Sequence, residues 1–228
     1  MAMILAGAEA RVNTFTTGNQ FAQEVAALEG GGWVVTWTSL GQDGSAEGVY
    51  SQAYNASGAK VGGEMRVNTL TVSSQSGQQI AALQGGGWVV TWMSYGQDGN
   101  GTGVYQQAYS ALGAKVGGET LVNTFTANNQ IPRQVAALEG GGWVVVWTST
   151  GQDGSGDGVY QQAYDGSGAK VGVETRVNTF TTGYQSAPEI AVLEGGGWVV
   201  TWQSEGQDGD GTGIYQQIYT SAGLTVGG

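Results

Sequence analysis

Apolar and β-branched residues in this chain come in short runs divided by glycine-rich turns, and the pattern returns four times. In the first full copy, residues 23–28 (QEVAAL) form an apolar run closed by a glycine hairpin turn, Glu29-Gly30-Gly31-Gly32. Residues 33–38 (WVVTWT) are β-branched and aromatic on both faces, as in a strand covered on both sides. Residues 40–48 (LGQDGSAEG) make a polar loop, and residues 49–54 (VYSQAY) a third strand. After a turn at 55–59, residues 60–67 (KVGGEMRV) predict a fourth strand, bulged at Gly62-Gly63. Residues 68–76 then cross to the next copy. No window carries an apolar stripe at helical spacing, so essentially no helix is expected.

The spacing between copies is constant. Trp33, Trp88, Trp143 and Trp198 are 55 residues apart, and four such units account for all but eight of the 228 residues. A glycine-rich unit of this size cannot bury a core alone, so the copies must share one. Four antiparallel strands per unit, with both faces of the central strands apolar, predict an all-β fold: a four-bladed β-propeller in one domain, residues 1–228. Small residues such as Ala26-Ala27 suit the crowded axis. Trp37, Trp92, Trp147 and Trp202, inside apolar strands, suit the space between blades. Pro132 and Pro188 are expected at or just before the start of an innermost strand.

The two ends are complementary in register. Residues 9–14 (EARVNT) align with residues 64–69 (EMRVNT), the end of a fourth strand, and residues 225–228 align with its beginning. The expectation is that 9–14 completes the outer strand of the last blade and closes the ring. Residues 5–8 and 225–228 would then compete for one register. An eight-bladed dimer of two chains exchanging these strands, a homo-oligomer, remains open beside the closed ring.

Composition narrows the chemistry. A formal net charge of −11 without histidine disfavours nucleic acid and anionic membrane surfaces, and favours a cation as partner. With no cysteine there is neither disulfide nor thiolate metal site. The start, MAMILAGAEA, has too short an apolar run and no basic flank for a signal peptide, and no run approaches the roughly 18 residues of a membrane span. The 43 glycines have no collagen period and are explained by turns. Carboxylates recur at fixed loop positions instead of converging as an acid–base pair, so the chain is not expected to be an enzyme.

Gly-Gln-Asp-Gly is identical in all four copies. Asp43, Asp98, Asp153 and Asp208, flanked by glycine-freed carbonyls, suggest a calcium cradle. The competing reading is a long hairpin loop in which Asp caps backbone N–H groups. Propeller topology puts the crossings between blades on the same side. Gln42, Gln97, Gln152 and Gln207 should therefore neighbour Asn68, Asn123 and Asn178, with Gln75, Gln130 and Gln185, as ligand-binding amides for sugar hydroxyls. The alternative is that these amides satisfy loop backbone inside the body. The glycine hairpins on the opposite side look structural.

The string VNTxTxxxQ…AALxGGGWVVTWxSxGQDGxGxGVYxQxY…GxKVG resembles the tandem repeats of large secreted, RTX-associated bacterial adhesins and calcium-binding proteins. The resemblance runs over practically the whole chain, through residues 12–14, 30–37, 41–44, 48–50 and their copies. It implies an extracellular location and an adhesive or lectin-like role. GGxGxDxUx nonapeptides are lacking, so the calcium roll of RTX proteins does not carry over. The near-identity of the units also resembles a consensus-designed or recently amplified symmetric propeller. Two functions follow as expectations: a multivalent carbohydrate-binding or adhesive module with four equivalent sites for glycans or a cell-surface polysaccharide, or a structural and assembly scaffold without a ligand.

Overall fold

The computed structural model describes residues 8–227, which form sixteen strands and no helix. Blade 1 is β1 (Gln20–Ala27), β2 (Trp33–Leu40), β3 (Glu47–Tyr54) and β4 (Lys60–Arg66). Blade 2 is β5 (Gln75–Ala82), β6 (Trp88–Tyr95), β7 (Thr102–Tyr109) and β8 (Lys115–Leu121). Blade 3 is β9 (Gln130–Ala137), β10 (Trp143–Thr150), β11 (Asp157–Tyr164) and β12 (Lys170–Arg176). Blade 4 is β13 (Gln185–Val192), β14 (Trp198–Glu205), β15 (Thr212–Tyr219) and the two-residue β16 (Thr225–Val226). Every sheet is a four-stranded antiparallel meander, so the all-β, four-bladed propeller architecture is present.

Two irregularities repeat for physical reasons. The fourth strand slips register against the third, between Ser51 and Ala53 in blade 1, and Gly62 takes φ +66° there. The buried Gln52 fills the bulge, its Nε2 donating to Ala53 O at 3.0 Å and Val61 O at 3.4 Å. The innermost strands start earlier than expected and are bulged. Pro132 and Pro188 therefore lie inside β9 and β13, at or within the register shifts, where no ladder N–H is lost.

The core sits between blades. Val34, Val49, Ala53 and Val67 of blade 1 meet Trp88, Val90, Trp92, Tyr105 and Tyr109 of blade 2, and the same positions meet at the next two junctions. Trp37, Trp92, Trp147 and Trp202 are all buried, as expected for inter-blade core. Each blade also stacks its tryptophans on cross-strand tyrosines, as in Trp143–Tyr164 with ring centroids 5.3 Å apart. Such a pair adds about 0.5–1.5 kcal/mol beyond the area it buries.

The ring expected from the chain ends does not close. Residues 9–14 form no strand, and β15 pairs only with β14 and β16. Blades pack in order, with β1 on β5, β5 on β9 and β9 on β13. No comparable packing joins blade 4 to blade 1 among the described residues. Lys60 Nζ donates to Val12 O at 3.0 Å and Glu64 Oε2 accepts from Thr14 N at 2.5 Å, holding this segment against β4. The competition expected between residues 5–8 and 225–228 falls largely outside the described residues.

Candidate functional site

On the face of the Gly-Gln-Asp-Gly loops, the segments entering blades 1, 2 and 3 are clamped by the outer strand of the blade they enter. Glu119 on β8 accepts from Thr69 N at 2.7 Å and from Gln97 Nε2 at 2.6 Å, while Lys115 Nζ donates to Val67 O at 3.1 Å. Glu174, Gln152 and Lys170 repeat this on Thr124 and Val122. Glu64 and Gln42 repeat it on Thr14, with Gln42 Nε2 2.5 Å from Glu64 Oε1. Gln42, Gln97 and Gln152 thus join loop to outer strand, and each turns its Oε1 inward, as does Gln207.

The other expected ligand amides are internal. Asn68, Asn123 and Asn178 are buried. Asn68 Oδ1 accepts from Val49 N at 2.8 Å, and its Nδ2 donates to Leu70 O at 2.6 Å and to Gln75 Oε1 at 3.1 Å. Gln75, Gln130 and Gln185 are fully buried and donate to Val72 O, Ala127 O and Thr182 O. The correction is physical: the crossing leaves backbone groups facing the body, and these amides satisfy them instead of facing solvent. Asparagine also extends the outer strand by one rung, because its side chain takes the place of a ladder carbonyl for Val49 N.

Three of the four loop aspartates accept N–H groups of their own loop. Asp43 Oδ1 and Asp153 Oδ1 accept from the N–H two residues on, Ser45 and Ser155, at 3.2 and 3.3 Å. Asp153 Oδ2 and Asp98 Oδ2 accept from Asn178 Nδ2 and Asn123 Nδ2 at 3.3 and 3.5 Å. Asp43 Oδ2 packs over Gly48, only 2.9 Å from where a Cβ would stand. Asp208 is exposed in blade 4. Ca²⁺ takes six to eight oxygens, and no three acidic side chains converge among the described residues. Asp43, Asp98 and Asp153 thus cap their loops, while Asp43 Oδ2 is buried without a hydrogen-bond partner among the described residues.

Tyrosine lies under the same loops. Burial, reinforced by Asp43 and Glu64 and opposed by Arg66, pushes the Tyr50 hydroxyl up to about 12. Tyr105 and Tyr160 are pushed up to about 12 in the same way, beside Asp98 and Asp153. Each site pairs an aspartate and a glutamate near one phenol, but both oxygens of the glutamate already accept N–H groups.

Open space lies on the opposite face, which the sequence marks only as glycine turns. A cleft opens at every junction there, and the one between blades 3 and 4 is the largest, about 380 Å³. Glu139 and the Gly140–Gly142 turn form one wall, with Asp165, Val171 and Val173. Ser221 and Leu224 form the other, and the nearly buried Tyr164 and Trp198 also border the space. Glu139 Oε2 crosses the junction to accept from Gly195 N at 3.2 Å. The Asp165 carboxyl is held below the usual range by the Ser167 hydroxyl and the N–H groups of Ala169 and Ser167. The clefts at the second and first junctions are smaller, about 240 and 190 Å³. The signal that marks the third cleft is departure from the repeat: Val173 stands where Gly63 and Gly118 occur, and Asp165 where Asn55 and Ser110 occur.

No protein-family model matches the chain, and no curated protein does. Solved structures do. The family-93 α-L-arabinofuranosidase of Fusarium graminearum, in complex with arabinobiose, superposes with a TM-score of 0.56 at 12% identity, over 89% of this chain and 62% of that one. An endo-1,4-β-xylanase of Bacteroides thetaiotaomicron gives 0.52 at 9% identity, over 94% and 77%. A thermostable family-43 glycoside hydrolase gives 0.51 at 12% identity, over 90% and 73%. At such identities the likeness is one of fold. It nonetheless overturns the expectation that this chain is not an enzyme. The proteins that share its fold include glycoside hydrolases, whose chemistry commonly needs only carboxylates, so lacking histidine and cysteine excludes nothing.

Proposed function

We propose that this propeller is a carbohydrate-binding module whose sites are the inter-blade clefts on the glycine-turn face. The third cleft carries the reading. It combines aliphatic walls, Leu138, Val171, Val173 and Leu224, for the apolar face of a sugar with the oxygens of Glu139, Asp165 and Ser221 for its hydroxyls, in a space of about 380 Å³. The shared fold supports it, because the solved structures are named for arabinose- and xylose-containing substrates. Repetition along the arc would add avidity toward a clustered glycan. An extracellular, adhesive setting follows from the resemblance to secreted repeats.

The test is a glycan array spanning arabinans, xylans and microbial surface polysaccharides, followed by product analysis of any glycan retained. Binding to one class of polysaccharide is expected, and released oligosaccharides would add hydrolysis to it. A second reading, a scaffold without a ligand, is favoured by the internal use of every repeated amide, as in Asn68 and Gln75. Silence across the whole array selects the scaffold.

A further inference from the structure

The two outermost blades each expose a face that is buried everywhere else in the molecule. Val49, Val104 and Val159 are completely buried at the three junctions, whereas Ile214, their counterpart on β15, is 73% exposed. Val199 is half-buried where Val34, Val89 and Val144 are fully buried. On the other end, Trp33 and Val35 are half-buried where their counterparts in blades 2 to 4 are buried, and Val25 is 66% exposed. One end is thus the back half of a junction and the other is the front half.

The polar partners are unmatched in the same complementary way. Trp143 Nε1 and Trp198 Nε1 donate to Gln106 and Gln161 of the preceding blade, while Gln216 is exposed in blade 4. Glu29 Oε2 and Glu139 Oε2 accept from Gly85 N and Gly195 N of the following blade, while Glu194 accepts no such bond among the described residues. Val67, Val122 and Val177 donate their N–H to Val49, Val104 and Val159 O, and the next residue, asparagine, accepts from the same valine's N–H. Ile214 has no such neighbour among the described residues. Val12-Asn13-Thr14 has the same sequence as those strand ends, and blade 1 already holds it with Lys60 and Glu64.

We propose that the back face of blade 4 docks the front face of blade 1 of a second copy of this chain, and that two copies joined twice in this manner close an eight-bladed ring. Val12-Asn13-Thr14 of each copy lies along β15 of the other at Ile214, adding the missing rungs by strand complementation. Trp33 Nε1 donates to Gln216 and Gly30 N donates to Glu194, reproducing the bonds of the internal junctions. Eight blades lie within the usual range for closed propellers. The contact is heterologous, head to tail, and does not depend on the carbohydrate reading.

The test is the mass in solution of the full chain and of two variants, Ile214→Arg on the back face and Val25→Arg on the front face. Both positions are exposed, so near-ultraviolet circular dichroism should show each variant folded. The wild type is expected at twice the chain mass of 23.4 kDa, and each variant alone at the single mass. An equal mixture restores one of the two contacts, with the intact Val25 face of one variant on the intact Ile214 face of the other, and should move toward the double mass as concentration rises. A wild type that stays at the single mass at every concentration overturns the proposal. So does a mixture that stays at the single mass at every concentration, or a wild-type mass series running beyond two copies.

Discussion

Trp143 Nε1 donates to Gln106 Oε1 at 2.9 Å across the junction between blades 2 and 3, and Trp198 makes the same bond to Gln161 at the next. At the first junction Ser51 stands in the glutamine position, and the buried Trp88 Nε1 has no acceptor among the described residues. A buried donor left unpaired costs about 1–3 kcal/mol. Gln106→Ala is therefore expected to destabilise by that amount, and Ser51→Gln to stabilise by about 1 kcal/mol. Denaturant unfolding of both variants checks the pair, because opposite signs are required.

Glycines of one turn should respond differently. A Cβ on Gly142 would stand 2.2 Å from Tyr164 O, a backbone atom that cannot step aside, although its φ is ordinary. Gly140 has φ +95° but nothing within 4 Å. Gly140→Ala is expected to cost about 1 kcal/mol from backbone strain alone, and Gly142→Ala about 3 kcal/mol or more, because the hairpin must move away from β11. Thermal melting of the two variants orders them. Equal losses would mean that the close approach does not matter.

Alkaline pH should unfold the protein. Tyr50, Tyr105, Tyr160 and Tyr219 are raised from 10 to about 12, chiefly by burial. Tyr109 and Tyr164 are raised as well, for the same reason. A raised folded pKa means that the unfolded chain loses these protons first. The stabilisation is complete below pH 10 and is lost as pH rises toward about 12. Absorbance titration of phenolate should show these tyrosines ionising together with loss of the circular dichroism signal.

Calcium should leave the fold unaffected. Asp43, Asp98 and Asp153 already accept N–H groups, as Asp153 does from Ser155 and Asn178, and an ion would have to displace them. Melting in excess calcium and in excess chelator is expected to coincide. A rise in melting temperature with calcium would show that the loops rearrange into an oxygen cage.

Much of this architecture is legible in the sequence, since a strand pattern such as WVVTW and a glycine pair such as Gly62-Gly63 act locally. Closure was not, because the register match of residues 9–14 says which strand they resemble and not which blade holds them. Blade 1 holds them through Lys60 and Glu64, with the same clamp that Lys115 and Glu119 make at an internal junction, and pairing with β15 is a separate event. The amides misled for a related reason. Asn68 and Gln75 repeat with the loops, but only their side-chain directions reveal that they serve the crossing. The cleft was missed because Glu139, Asp165 and Ser221 come from three separate turns that meet only when blades 3 and 4 pack.

The cleft as a sugar site is tested most directly by titration calorimetry of the glycan selected on the array against the wild type and Val173→Arg. Val173 lines the third cleft and is 79% exposed, so arginine there obstructs the cleft without disturbing the core. The account predicts saturable heat with the wild type and its loss, or at least a tenfold weakening (about 1.4 kcal/mol), with the variant. Undiminished binding by a folded Val173→Arg protein would contradict it.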